Sequence, residues 1–198
     1  MRTLRVVVLV FLLCGLASAQ QPEVKNRGTE IGVWAGGGTG LGRSTSFQFA
    51  NAGVRLGKVL TGEHGPGFLR GNFEYAADVM PLYLVFQDGS VPGNRQTVYG
   101  GSVAPLILKW NFTSGKRVVP WIAIEEGAIF TSKDVPAGDT STVNFSSGLG
   151  TGIQLFRDDR HAVTFSGHVL HISNASLGRQ NPSINVAVQF RVGYQWWR

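Results

Sequence analysis

The chain has 198 residues, with 18 lysines and arginines, 12 aspartates and glutamates, 27 glycines and one cysteine. That length fits one domain, or one domain behind a targeting segment. Charged residues at 15% and hydrophobics at 43% exclude a disordered polyelectrolyte, and abundant glycine without a three-residue period excludes a collagen-like chain.

Arg2 and Arg5 form a short basic head, residues 6–17 are apolar or small, and Ala17-Ser18-Ala19 supplies a small-x-small cleavage pattern. The stretch is too short for a spanning helix, which needs ~20 residues. We therefore expect a signal peptide over 1–19 and a single domain over 20–198. Cys14 follows Leu13, where a lipoprotein box wants a small residue. Cleavage leaves no cysteine, so the domain is held by burial and hydrogen bonds alone. It also removes two of 18 basic residues, leaving 16 against 12 acidic ones, a charge of +4. That surplus suits an anionic lipid surface and is too weak and scattered for nucleic acid.

Beyond Gln20 the chain breaks into eight runs rich in Val, Ile, Phe, Tyr, Trp and Gly, at 30–37, 47–60, 68–79, 97–110, 118–131, 142–156, 162–173 and 184–197. Turn-forming residues separate them, beginning at Gly38, Gly62, Asp88, Ser114, Pro136 and Asp158. Alternation assigns the faces. In the second run Ala52, Val54 and Leu56 oppose Asn51, Gly53, Arg55 and Gly57; in the third Leu69, Phe73, Tyr75 and Val79 oppose Arg70, Asn72, Glu74 and Asp78. In the sixth Val143, Phe145, Leu149, Ile153 and Leu155 oppose Asn144, Ser146, Gly148, Gly150, Gly152 and Gln154. In the eighth Ile184, Val186, Val188, Phe190, Val192, Tyr194 and Trp196 oppose Asn185, Gln189, Arg191 and Gln195.

Small and polar residues fit the tight interior of an eight-stranded barrel, and the bulky face suits lipid. The expectation is an all-β, eight-stranded antiparallel up-and-down transmembrane barrel of the bacterial outer membrane. The chain ends Tyr194-Gln195-Trp196-Trp197-Arg198, an aromatic strand resembling the assembly signal of outer-membrane barrels, although Arg198 replaces the usual terminal aromatic. The alternative is a soluble periplasmic barrel or sandwich whose apolar face is its core, binding a small ligand in the lipocalin manner.

His171 and Ser173 are two apart and share a face with Val163, Phe165 and Val169. Polar groups on an apolar face are costly without a purpose. Imidazole beside a hydroxyl is the minimal kit for activating a serine toward a carbonyl, and facing lipid it would reach an ester without extracting it. The structural reading is that both residues mark the interface where a strand meets a loop.

His171-Ile172-Ser173-Asn174-Ala175, followed by Asn181-Pro182-Ser183-Ile184-Asn185, resembles the signature of the lipid A 3-O-deacylase family, the PagL-like outer-membrane enzymes also described as acyloxyacyl hydrolases. The resemblance implies a barrel that removes the ester-linked acyl chain at position 3 of lipid A in lipopolysaccharide, by a serine-hydrolase mechanism with no metal and no cofactor. It makes Ser173 the nucleophile, His171 the general base and Asn174 a contributor to the oxyanion site. The family's third catalytic residue is a glutamate on the following strand, and counting forward reaches Asn185. An amide oxygen can hold the imidazole N–H but supplies no charge. Parity places Asn185 on the lumen side unless a bulge near Pro182 re-aims it. Basic residues at the rim such as Arg179 could touch lipid phosphates. A catalytically silent barrel of the same family stays open, as does a homodimer.

Other features read as structural. Gly36–Gly42 lacks the Gly-Lys-Ser/Thr and helix of a phosphate loop and is expected to be a glycine hairpin turn. Glu125 and Glu126 face apart, the inward one pairing with Arg55, Arg70 or Arg191. His64, His161 and His168 are dispersed, and His168 shares no face with His171, which argues against a metal. Trp110, Trp121, Trp196 and Trp197 are expected in the interfacial girdle.

Overall fold

The computed structural model describes residues 28–42, 47–89, 94–115, 117–138, 140–182 and 184–198, the side chain of Asn185 excepted; the expected signal peptide over 1–19 lies outside them. Eight strands follow in order: β1 (Thr29–Gly40), β2 (Gln48–Val59), β3 (Gly71–Asp88), β4 (Arg95–Phe112), β5 (Val118–Thr131), β6 (Val143–Phe156), β7 (His161–Ser173) and β8 (Ile184–Trp197). Each pairs antiparallel with its neighbour and β8 returns to β1, closing the barrel. Closure leaves no strand edge, the condition for a sheet to stand in hydrocarbon. The start of β1, the end of β8 and the β2–β3, β4–β5 and β6–β7 connections share one end. The β1–β2, β3–β4, β5–β6 and β7–β8 connections share the other, called here the loop end.

The period-2 pattern sorts most side chains as the sequence predicts. Asn51, Arg55, Glu74, Asp78, Asn144, Gln154, Gln189, Arg191 and Gln195 are buried inside, while Val54, Leu56, Val79, Leu149, Phe165, Phe190 and Val192 lie exposed outside. Phe190, in the middle of β8, is 72% exposed. No soluble strand gains from such a belt, whereas a lipid-facing one does. We expect Phe190→Arg to destabilise the barrel by about 2–4 kcal/mol in bilayers, read as a fall in urea midpoint in lipid vesicles; an unchanged midpoint would place this face in water.

Inside, two ionic clusters fill the middle. Lys109 Nζ lies 2.8 Å from both Glu30 and Glu74; Gln195 donates to the other Glu30 oxygen, and Asn111 to the same Glu74 oxygen that the lysine contacts. Arg55 grips Asp78 at 2.7 and 2.8 Å, and Arg191 forks onto Glu125, both bonds 3.1 Å, so Glu125 finds one of its expected arginines. An apolar plug seals the loop end, from Phe47, Phe49, Tyr83, Val85, Val98, Ile129, Val135, Leu170, Ile172, Ile184 and Ala187.

Several expectations are corrected. Strand β3 runs past Val79 to Asp88. Pro81 is tolerated because a register shift between Met80 and Tyr83 turns both Pro81 and Leu82 outward. Leu69 ends a short 3-10 turn before β3 and Arg70 caps it, and exposed Arg70 bonds Glu63 at 2.7 Å rather than entering the lumen. Gly36–Gly40 are not a hairpin turn but the second half of β1. A Cβ on Gly38 would collide with the Val188 carbonyl and the Phe49 ring, so glycine here admits the plug. Trp121 and Trp197 are buried inside, flanking the Lys109 ammonium at 5.8 and 5.4 Å; of the expected girdle, only Trp196 is clearly exposed and Trp110 is half-buried. Ile184 points into the plug, not outward, because two steps of β7 (Leu170 to Ile172) pair with three of β8 (Ala187 to Ile184) and parity flips at that bulge.

Candidate active site on the outer wall

The plug dictates where His171 and Ser173 point. Leu170 and Ile172 are buried in it, so alternation turns His171 and Ser173 to the outer face, in line with exposed Phe165 and Val169. His171 is exposed and Ser173 half-buried at the last residue of β7. The couple is therefore presented to acyl chains near the loop end.

Across the sheet, Ser147 of β6 stands opposite His171, and Phe145 opposite Ser173. One strand further, Glu126 of β5 stands opposite Ser147 and accepts a 2.6 Å hydrogen bond from its hydroxyl. Glu126, Ser147 and His171 are all exposed on the outer wall. This polar row joins three strands, and in the sequence it shows only as Glu126 facing away from Glu125. Its signal is cross-strand register, which a single strand does not carry.

The β7–β8 loop holds the end of β7 in place. Asn174 is buried, its amide donating to the Gln180 carbonyl at 2.8 Å and its carbonyl accepting from Ser176 N–H at 2.9 Å. Ala175 and Ser176 have φ of 49° and 64°, and Leu177 N–H bonds the Asn174 carbonyl at 2.9 Å. Two successive left-handed residues closed by that bond make a type I′ turn. Non-glycine residues are strained there, a feature that clusters at functional sites. Gly178 lies so close to the Thr140 carbonyl that any Cβ would collide, which fastens this loop to the β5–β6 connection. The Asn185 backbone lies within the β8 bulge; its side chain is outside the described residues.

A second serine–histidine–glutamate set exists, and parity sends it the other way. His168 lies 2.9 Å from Ser166 Oγ through Nε2 and 3.1 Å from Glu125 through Nδ1. Its ring is buried among Trp121, Arg191 and the inner wall. Both Glu125 oxygens are already held by Arg191, and the apolar plug stands between this trio and the loop end. No lipid ester can enter, so the trio is part of the lumenal scaffold. As expected from parity, His168 shares no face with His171.

A closed eight-stranded barrel with a greasy outer belt, and a serine–histidine couple set in that belt, defines a membrane-spanning barrel with polar groups turned toward the bilayer. The family model for lipid A 3-O-deacylase (PagL) matches residues 67–195, and the chain belongs to that family. It is an outer-membrane β-barrel protein, which sets aside the soluble lipocalin-like alternative. Among solved structures, the outer membrane enzyme PagL is 18% identical, covering 84% of this chain and 97% of that one, with a TM-score of 0.49. Neisserial surface protein A is 13% identical over 85% and 96% of the two chains, with a TM-score of 0.50. The N-terminal barrel domain of Pseudomonas aeruginosa OprF is 12% identical over 85% and 97%, with a TM-score of 0.49. No curated protein matches the sequence.

Proposed function

We propose that this protein hydrolyses an ester-linked acyl chain of lipid A, at the 3-O position, with Ser173 as nucleophile and His171 as general base. The observation that carries the reading is the outward placement of both residues at the end of β7, within a lipid-facing belt. In the first step the Ser173 Oγ–carbonyl bond forms, the ester C–O bond breaks, and the serine proton passes through His171 to the sugar oxygen. In the second a water gives its proton to His171, attacks the acyl-serine carbon and releases the fatty acid, and His171 returns the proton to Ser173. The donor for the transient oxyanion would come from the Asn174 turn: one N–H of its amide is taken by Gln180, which leaves the second. Asn185 stands where the family glutamate is expected and would at most orient the imidazole. Arg179, in the β7–β8 loop, would meet lipid phosphates at the rim.

The direct test is expression in a Gram-negative host whose lipid A retains its 3-O-acyl chains, followed by mass spectrometry of that lipid A. The expected result is loss of the mass of one 3-O-linked acyl chain. Lipid A unchanged in mass, with the barrel assembled in the outer membrane, would favour the catalytically silent alternative.

A further inference from the structure

The couple lacks an acidic partner on β8, yet the outer wall carries a carboxylate where hydrocarbon should make one unwelcome. Among the described residues, Glu126 is the one acidic side chain on the outer face of the strands away from their ends. Exposed Ile124 and Leu149 flank it and its neighbour Ser147, and Val169 flanks His171. A lone carboxylate in such a belt costs stability, and the Ser147 hydroxyl donates to it at 2.6 Å.

We infer that Glu126, acting through Ser147, is the acidic positioning group for His171. The inference rests on the assignment of His171 and Ser173 made above. A serine hydroxyl has one proton and two lone pairs. Ser147 spends its proton on Glu126, so toward its other neighbour it can only accept. That neighbour is His171, directly opposite on β7, where Cβ atoms of facing residues lie about 4.5–5.5 Å apart, within joint reach of an imidazole and a serine. An imidazole N–H donating into Ser147 fixes the tautomer and leaves the other ring nitrogen free for the Ser173 proton. When His171 becomes cationic during acyl transfer, the Glu126 charge stabilises it along a chain of two hydrogen bonds. No proton leaves Ser147 or reaches Glu126; the row orients and polarises. Among the described residues, the charged and polar groups lined up with His171 on the outer wall are then Ser147 with Glu126 behind it, from β6 and β5, and Ser173 on its own strand.

The test uses the full-length barrel in detergent and two readouts: acyl release from lipopolysaccharide, and covalent labelling by a fluorophosphonate mapped by peptide mass spectrometry. Glu126→Gln and Ser147→Val should each lower kcat and the labelling rate of Ser173 about 10- to 100-fold with KM within about twofold, less than the ~10⁴ carried by a carboxylate bonded straight to histidine in a serine protease. Glu126→Asp and Ser147→Thr, which keep charge and hydroxyl, should recover most of the loss. A merely structural role would not follow charge and hydroxyl in this way, and heat-modified mobility on gels reports that each variant is folded. Thr151→Val, removing another outer hydroxyl of β6 that bonds the Trp121 carbonyl, should leave both readouts unchanged. Full activity in Glu126→Gln and Ser147→Val, with His171→Ala dead, would overturn the relay while leaving the proposed function standing. A label on Ser147 would overturn the relay and the choice of nucleophile. Neither label nor acyl release in the wild type would remove the hydrolase reading itself.

Discussion

Ser173→Ala should reduce acyl release by at least ~10³-fold and leave the barrel intact. The magnitude follows from the proposed role: a nucleophile without its hydroxyl forms no acyl-enzyme, and what would remain is binding and oxyanion stabilisation. Folding is spared because the end of β7 is anchored by its inward residues, Leu170 and Ile172 in the plug, and by the Asn174 turn. Ser173 itself looks outward, and losing one half-buried hydroxyl from a lipid-facing position removes a polar group from an apolar setting. His171→Ala should cost a similar factor. The double variant should be little worse than either single one, since groups acting as a unit do not add. Lipid A mass spectra and acyl-release rates, alongside heat-modified gel mobility, measure all three. If Ser173→Ala keeps a tenth of wild-type activity while folded, the nucleophile lies elsewhere, and Ser147 becomes the first alternative because it also faces His171.

The two serine–histidine pairs in β7 show what the sequence could and could not tell. Ser166-x-His168 and His171-x-Ser173 are spaced alike, and only parity separates them. Leu170 and Ile172 read as apolar on both counts, so the decision came from Phe165 and Val169, which share the His171 face. That inference needs one strand and a strict period of two. It fails where the period breaks. Strict alternation puts Ile184 outside because the sequence shows no sign of the bulge that flips it, and the run ending at Val79 falls short of β3's end at Asp88, past a register shift between Met80 and Tyr83 that breaks the alternation. Residue type alone sends Trp121 and Trp197 to the girdle, whereas parity with inward Ala123 and Gln195 puts them inside, beside Lys109. The contact between Glu126 and Ser147 was out of reach for a different reason. It depends on the register between β5 and β6, set by an eleven-residue connection, 132–142, whose path cannot be counted from composition.

The largest loss of stability should come from the lumen. Lys109→Met leaves Glu30 and Glu74 facing one another, fully buried, with the cation between them gone. Breaking a buried ionic cluster by removing one member typically costs about 3–5 kcal/mol, because the remaining charges keep their desolvation penalty without their attraction. Here two carboxylates are stranded for one ammonium removed, and two cation–π contacts to Trp121 and Trp197 go with it. The position magnifies the effect. Glu30 is on β1, Glu74 on β3, Lys109 on β4 and Gln195 on β8, and Glu30 bonds Gln195 across the β1–β8 seam at 2.8 Å. Loss of the lysine therefore loosens the closure that denies the sheet an edge. The same reasoning predicts a rescue: with Glu30→Gln and Glu74→Gln added, no buried charge is left unpaired, and replacing a whole buried ionic group by neutral ones is often close to neutral. Urea unfolding in lipid vesicles should show the single variant far below wild type and the triple variant returned most of the way. A single variant as stable as wild type would mean that water enters the lumen freely enough to solvate both carboxylates. A triple variant no better than the single would mean that Lys109 acts through its packing against the two indoles rather than through its charge.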